Sequence, residues 1–148
     1  MIYWFGKFQT NIICCCYHPV NTNRKPIQWN PRQSCTIPLP PLALHRIINN
    51  LLENAIRYGD NKTVYVNCEC NKEVISIHII DSGPGIPQEK TEAVFRPFYR
   101  LETSRSSSTG GSGLGLAIVK QLADSNGWEI QLIPRAEGGT EAVLTLLH

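Results

Sequence analysis

The sequence predicts an α/β fold, a two-layer sandwich with helices on one face of a mixed sheet, and three observations carry that prediction. Leu44, Ile47, Ile48, Leu51, Leu52, Ala55 and Ile56 recur at the i, i+3, i+4 spacing of one helical stripe. Val74, Ile75, Ile77, Ile79 and Ile80 form a short β-branched run. A second helical pattern, Leu114, Ala117, Ile118, Val119 and Leu122, precedes two further strand-like segments at the C-terminal end. Each apolar stripe has to be buried, and layering the helices on one sheet does so.

The elements follow in order. A strand is expected near Gln33–Leu39, then Pro40 and Pro41 lead into a long helix. Proline is accepted at a helix start because its missing N–H would have no partner there. Gly59-Asp60-Asn61 ends the helix after Tyr58. Strands over 63–70 and 74–81 are joined through Asn71-Lys72 as a hairpin. A short helix over 88–94, a loop, and a helix over 112–125 come next. Strands over 128–134 and 140–147 pair across a glycine-containing turn.

Chemistry concentrates at three places. Asp81 closes the β-branched run in Asp81-Ser82-Gly83-Pro84-Gly85. A carboxylate at a strand end can accept from an exocyclic amine such as that of adenine. Gly83 and Gly85 permit positive φ and let a flat ring approach closely. Taken alone, the segment also reads as an ordinary turn.

The second place is Gly110-Gly111-Ser112-Gly113-Leu114-Gly115-Leu116, which opens a helix. Unpaired N–H groups and the positive end of the helix dipole favour phosphate there. The serines at 104 and 106–108 would suit a flexible linker. Leu114 interrupts the glycines and does not suit one.

The third is the polar face of the long helix, Arg46, Asn50, Glu53, Asn54 and Arg57, which in the simplest case is only a solvated face. Asparagine is a poor helix former, and Asn49, Asn50 and Asn54 together cost a few tenths of a kcal/mol each. Two amide oxygens one turn apart beside a carboxylate suit a hard cation such as Mg²⁺, which takes oxygen ligands and retains water and phosphate in its shell.

With these residues in view, the sequence resembles the catalytic ATP-binding domain of bacterial sensor histidine kinases, in the ATPase and kinase superfamily that also holds DNA gyrase. Asn50-Leu51-Leu52-Glu53-Asn54-Ala55-Ile56-Arg57-Tyr58 is similar to the family's N box, and Asp81-Ser82-Gly83-Pro84-Gly85-Ile86-Pro87 to its first glycine box. Phe95-Arg96-Pro97-Phe98-Tyr99-Arg100 resembles the F box. Gly111-Ser112-Gly113-Leu114-Gly115-Leu116 resembles the second glycine box, and Gly138-Gly139-Thr140 the short one near the C-terminus. The motifs stand in the family's order over about residues 33–147.

The resemblance implies a Bergerat-type fold, ATP and Mg²⁺ as cofactors, and a role for each matching residue. Asn54 and Asn50 would hold Mg²⁺ against the phosphates, and Glu53 would assist proton movement. Arg57 would reach the phosphates and Tyr58 flank the nucleotide. Asp81 would bind the adenine amine, with Gly83, Gly85 and Ile86 shaping that side. Residues 88–112 would form a lid hinged on Phe95 and Phe98, with Arg100 aimed at phosphate. Gly111, Gly113, Leu114, Gly115 and Leu116 would close the pocket over a floor containing Thr140.

By the same resemblance, the domain would present the ATP γ-phosphate to a histidine on a separate dimerisation and phosphoacceptor domain, and through it serve a response regulator. None of the four histidines, His18, His45, His78 and His148, has the acceptor setting of an adjacent acidic residue and a nearby Arg-x-Pro pattern. The chain is therefore expected not to phosphorylate itself. A non-catalytic ATP-binding or interaction module is the alternative. A serine kinase of the anti-sigma type shares the pocket but fits the Phe-Arg-Pro-Phe-Tyr-Arg segment less well.

Composition frames the rest. With 148 residues and 42% hydrophobic content the chain can bury a core, and a domain over 31–148 is expected behind an N-terminal extension over 1–30 that matches no expected element. A formal net charge of +2 provides no basic stripe for nucleic acid. No apolar run approaches a membrane span, and a cytoplasmic domain is expected, although full-length relatives are often anchored in the inner membrane. The six cysteines lack any Cys-x-x-Cys spacing, so no zinc site is expected and Cys35, Cys68 and Cys70 read as reduced apolar residues.

Overall fold

The computed structural model describes residues 12–13, 27–31, 36–37, 39–71, 73–101 and 111–147. Strand β1 is Ile12–Ile13, β2 Ile27–Pro31 and β3 Thr36–Ile37. Helix α1 runs Pro41–Tyr58, followed by β4, Val64–Cys70, and β5, Val74–Ile80. Two 3₁₀ turns, Gln88–Lys90 and Ala93–Phe95, precede α2, Gly115–Ser125. Strands β6, Glu129–Pro134, and β7, Thr140–Leu147, complete the chain. The main sheet has the order β2-β4-β5-β7-β6, and β1 and β3 form a separate antiparallel pair. Only the β2 and β4 pair of the main sheet is parallel, so the expected mixed sheet is present.

Strict alternation builds the core. Val64, Val66 and Cys68 of β4, Ile75, Ile77 and Ile79 of β5, Ile130 and Leu132 of β6, and Ala142, Leu144 and Leu146 of β7 are buried. Successive strand residues face opposite sides, so these lie on one face. Against them pack the α1 stripe, in which Ile47 is 0% and Leu52 1% exposed, and Val119 and Ala123 of α2. Fully burying one such side chain stabilises by about 1.5–3 kcal/mol, which anchors α1 although Pro40 supplies no side-chain cap. On the other face His78 Nδ1 meets Glu141 Oε1 at 2.7 Å.

Several expectations need correction. The strand expected near 33–39 is present as Thr36–Ile37 but pairs with β1, and the first strand of the main sheet is Ile27–Pro31, in register from Ile27 beside Val64 to Pro31 beside Cys68. Its sequence Ile-Gln-Trp-Asn alternates apolar and polar, and Pro31 is tolerated because the strand is an edge. The sheet thus begins inside the stretch assigned to the extension, the rest of which lies outside the described residues apart from Ile12–Ile13. The helix expected over 88–94 is two 3₁₀ turns, since only Val94 and Phe95 there are buried enough to anchor it. Helix α2 starts at Gly115 and not at Ser112, because Gly113 has φ +71 and interrupts the helical path. Cys68 and Cys70, expected as reduced thiols, are each disulfide-bonded. Cys14, Cys15, Cys16, Cys35, Lys72 and residues 102–110 of the expected lid lie outside the described residues.

Candidate functional site

The helices meet the sheet incompletely, and between them lies a cavity of about 520 Å³, of a size suited to a nucleotide. One wall is a single face of α1: Asn50, Glu53, Asn54, Arg57 and Tyr58 recur at i, i+3, i+4, i+7 and i+8 and all line the cavity. The opposite wall is the entry to α2, with Gly113, Leu114, Gly115 and Leu116. At one end are Asp81, Gly85, Ile86 and Thr140, and Arg100 also lines the cavity.

Asp81 is the buried carboxylate of the site, 8% exposed. Its Oδ1 accepts from Gly83 N at 2.9 Å and Thr140 N at 3.3 Å, and its own N donates to Thr140 O at 3.0 Å. Burial raises its pKa above 3.8, opposed by these two backbone donors and by the Arg135 guanidinium. Two glycines make this packing possible. A Cβ on Gly83 would stand 1.9 Å from Tyr58 O, and one on Gly139 would stand 2.1 Å from Asp81 O. Gly83 thus gives room rather than positive φ, which belongs to Gly85 at +80.

On α1 the Asn50 amide donates through Nδ2 to Arg46 O at 2.8 Å. Its Oδ1 faces α2, 3.0 Å from where a Gly115 Cβ would be. An oxygen donor turned into the cavity beside Asn54 fits Mg²⁺, which needs few protein ligands when nucleotide and water complete its shell. Among the described residues no group of three His, Cys, Asp or Glu could hold a metal ion alone. The α2 entry presents first-turn N–H groups, and Ser112 Oγ accepts from Leu114 N at 3.3 Å.

Two expected residues do not line the cavity. Gly83 lies behind Asp81, and Gly111 lies against Arg57, where a Cβ would be 2.2 Å from Nη1. The expected hinge is also different in kind. Phe95 is buried, but the Phe98 side chain is 73% exposed, and Phe98 holds the lid base through its backbone, N to Gly113 O at 2.9 Å with φ +63. Sequence reading missed the apolar lining, Ile79, Leu132 and Ala142 from the sheet and Ile118 from α2, because these follow the same patterns as core residues. It also missed Arg135, a lone basic residue in a turn.

The model of the histidine kinase-, DNA gyrase B- and HSP90-like ATPases matches residues 40–148. Over 109 residues the chain is 40% identical to the sensor histidine kinase GtrS of Pseudomonas aeruginosa, covering 74% of this chain and 22% of that protein. It is 36% identical over 115 residues to the sensor protein VanS of Enterococcus faecium, covering 77% of this chain and 30% of VanS. The chain therefore spans less than a third of the length of either relative. The solved structure of the mycobacterial sensor histidine kinase MprB superposes with a TM-score of 0.69 at 29% identity, over 82% of this chain and 81% of that one. Among the described residues no helix is long and apolar enough to cross a membrane. The chain belongs to the histidine kinase-, DNA gyrase B- and HSP90-like ATPase family, and its residues 40–148 are a catalytic ATP-binding domain of the two-component sensor kinase type.

Proposed function

We propose that the domain binds Mg-ATP and presents its γ-phosphate to a histidine on a separate dimerisation and phosphoacceptor domain, which in turn serves a response regulator. The observation that carries the reading is Asp81, buried at the end of β5 with Oδ1 committed to two backbone donors and its carboxylate at the cavity wall. Oδ2 accepts the adenine amine, while Ile86, Gly85 and Thr140 enclose the base and Tyr58 flanks the nucleotide. At the other end, Arg57, Arg100 and the N–H groups around Gly113, Leu114, Gly115 and Leu116 receive the phosphates. Gly111 and Gly83 act from behind, by leaving room for Arg57 and for the Asp81 loop.

Asn54 and Asn50 would hold Mg²⁺, which would neutralise phosphate charge. Glu53 is exposed at the cavity edge, where it takes up the proton displaced from the accepting imidazole. The remaining contribution is positioning and charge stabilisation, as phosphoryl transfer requires.

The test supplies γ-labelled ATP with and without an accepting helical hairpin from a related kinase. Acid-labile label on the hairpin, and none on this chain, is the expected result. Acid-labile label on His18, His45, His78 or His148 contradicts the reading that the acceptor lies elsewhere, and no label on any hairpin that binds the domain favours a non-catalytic module.

A further inference from the structure

Arg135 does not line the cavity, yet its guanidinium is committed to the residue that ends β5. Nη1 donates to the main-chain carbonyl of Asp81 at 3.0 Å and lies 3.5 Å from the Gly138 carbonyl oxygen. Nη2 donates to Glu137 Oε2 at 2.9 Å. The turn that carries Arg135 is itself closed, since Arg135 N donates to Gly139 O and Gly138 N donates to Arg135 O, both at 3.1 Å. Asp81 is thereby gripped at its N–H, its Oδ1 and its carbonyl by one turn of the chain.

We propose that Arg135 is a positioning residue for base recognition: by fixing the Asp81 peptide against the β6–β7 turn, it holds the carboxylate on the amine edge of adenine and sets the preference for that base. The proposal rests on the reading of Asp81 as the adenine acceptor. The grip is needed because the ladder between β5 and β7 ends at Ile80 and Glu141, and the chain beyond Asp81 turns away through Gly85. Beyond the Asp81 and Thr140 pair no bond among the described residues holds the Asp81 carbonyl except that of Arg135, and directional hydrogen bonding weakens steeply with misalignment. Fixing that carbonyl removes backbone freedom before the ligand arrives, which reduces the ordering cost of binding.

The same guanidinium favours the ionised, accepting form of Asp81 against the effect of burial. The other charged or titratable groups lining the cavity are Glu53, Arg57, Tyr58 and Asp60 from α1 and its end, and Tyr99 and Arg100. Lys62 reaches the Ser82 carbonyl oxygen at 3.5 Å, and Glu137 partly balances Arg135. Without Arg135, Asp81 titrates at higher pH.

Calorimetry at fixed Mg²⁺ compares ATP with purine riboside triphosphate, which lacks the 6-amino group, on the wild type, Arg135→Met and Arg135→Lys. ATP affinity is expected to fall about tenfold in Arg135→Met, as for one lost hydrogen bond of ordinary strength, while the purine nucleotide is nearly unaffected. Arg135→Lys, which keeps the charge and one donor, falls between, and it carries the test if the methionine variant does not fold. The Asp81 carboxyl carbon, followed by NMR, titrates at higher pH in Arg135→Met. A variant that merely lost stability would bind both nucleotides less well by the same factor. Equal weakening of both, or of neither, with the Asp81 titration unmoved, overturns the proposal. Asp81→Asn separates the levels. If it discriminates between the two nucleotides as the wild type does, the adenine reading itself is wrong and the clamp falls with it. If it loses that discrimination while the Arg135 variants keep theirs, only the clamp is wrong.

Discussion

Asp81 and Thr140, 59 residues apart, hold each other twice: Asp81 N donates to Thr140 O at 3.0 Å, and Thr140 N donates to Asp81 Oδ1 at 3.3 Å. The first bond is backbone only and continues the β5 and β7 pairing one step beyond Ile80 and Glu141. The second turns a strand end into a fixed carboxylate. Fold and site are coupled through these two residues, because the pairing that closes the sheet also aims the group proposed to read the base.

The first prediction concerns what that carboxylate does to stability. Burial raises the Asp81 pKa above 3.8 in the folded chain, so the folded state binds this proton more tightly than the unfolded one. The stabilising contribution of the group is complete below 3.8 and is lost as pH rises through the folded value. At neutral pH ionised Asp81 opposes folding, and Asp81→Asn, which keeps an oxygen for Gly83 and Thr140, should melt higher than the wild type without nucleotide. Scanning calorimetry checks the sign: the gain at neutral pH shrinks as the pH falls toward 3.8, and a lower melting point for the variant at neutral pH refutes it.

Two glycines with similar φ should respond differently to alanine. Gly127 has φ +68 with nothing within 4 Å of a Cβ, so Gly127→Ala costs about 1–2 kcal/mol from backbone conformation alone. Gly139 has φ +91 and would place its Cβ 2.1 Å from Asp81 O, so Gly139→Ala must also displace the Asp81 loop. Denaturant unfolding should show the larger loss at 139 and loss of ATP binding only there. Equal losses at both sites contradict the close packing of Gly139 on Asp81.

Asn54 is half-buried on the cavity face of α1, where Leu51 and Ala55 line the same cavity. Asn54→Ala should leave stability within about 0.5 kcal/mol, as for a change off the core, yet abolish phosphotransfer by removing a metal ligand. Titrating Mg²⁺ at fixed ATP reports the cause. Wild-type Mg²⁺ dependence in the variant rules out the ligand role.

The lid base is held by the bond from Phe98 N to Gly113 O, while the Phe98 side chain stands in solvent. Phosphates recruiting Arg100 and the N–H groups near Gly113 and Gly115 should order this region on binding. Hydrogen exchange with Mg-ATP is expected to show added protection at Tyr99–Leu101 and Gly111–Gly115, where unchanged exchange at saturating nucleotide argues against closure.

The sequence carried the fold where burial follows a single period. The stripe of α1 and the alternation of β4 to β7 are one-faced, and those elements lie within a residue or two of where the pattern puts them. Nearly every residue of the expected site reaches the cavity, because α1 spacing and glycine placement encode facing and close approach locally. What was illegible depends on distant partners. The pairing of Ile27–Pro31 with Val64–Cys68 joins segments separated by all of α1, and no local pattern places it. The roles of Gly83 and Arg135 arise from contacts with Tyr58 and Asp81 that exist only after the chain folds back. Ile79, Leu132 and Ala142 look like core from the sequence since the cavity floor is an unfilled part of the core.

Asp81 is the residue on which the nucleotide pocket depends, and titration calorimetry of Mg-ATP into the wild type and Asp81→Asn tests its role. Replacing the accepting oxygen on the amine edge with an amide should cost about 1.5–3 kcal/mol, or roughly ten- to a hundredfold in affinity, as for a hydrogen bond to a charged group. The variant should stay folded, so the loss belongs to the ligand contact. Equal ATP affinity in the two proteins would contradict the assignment of this cavity as the nucleotide pocket.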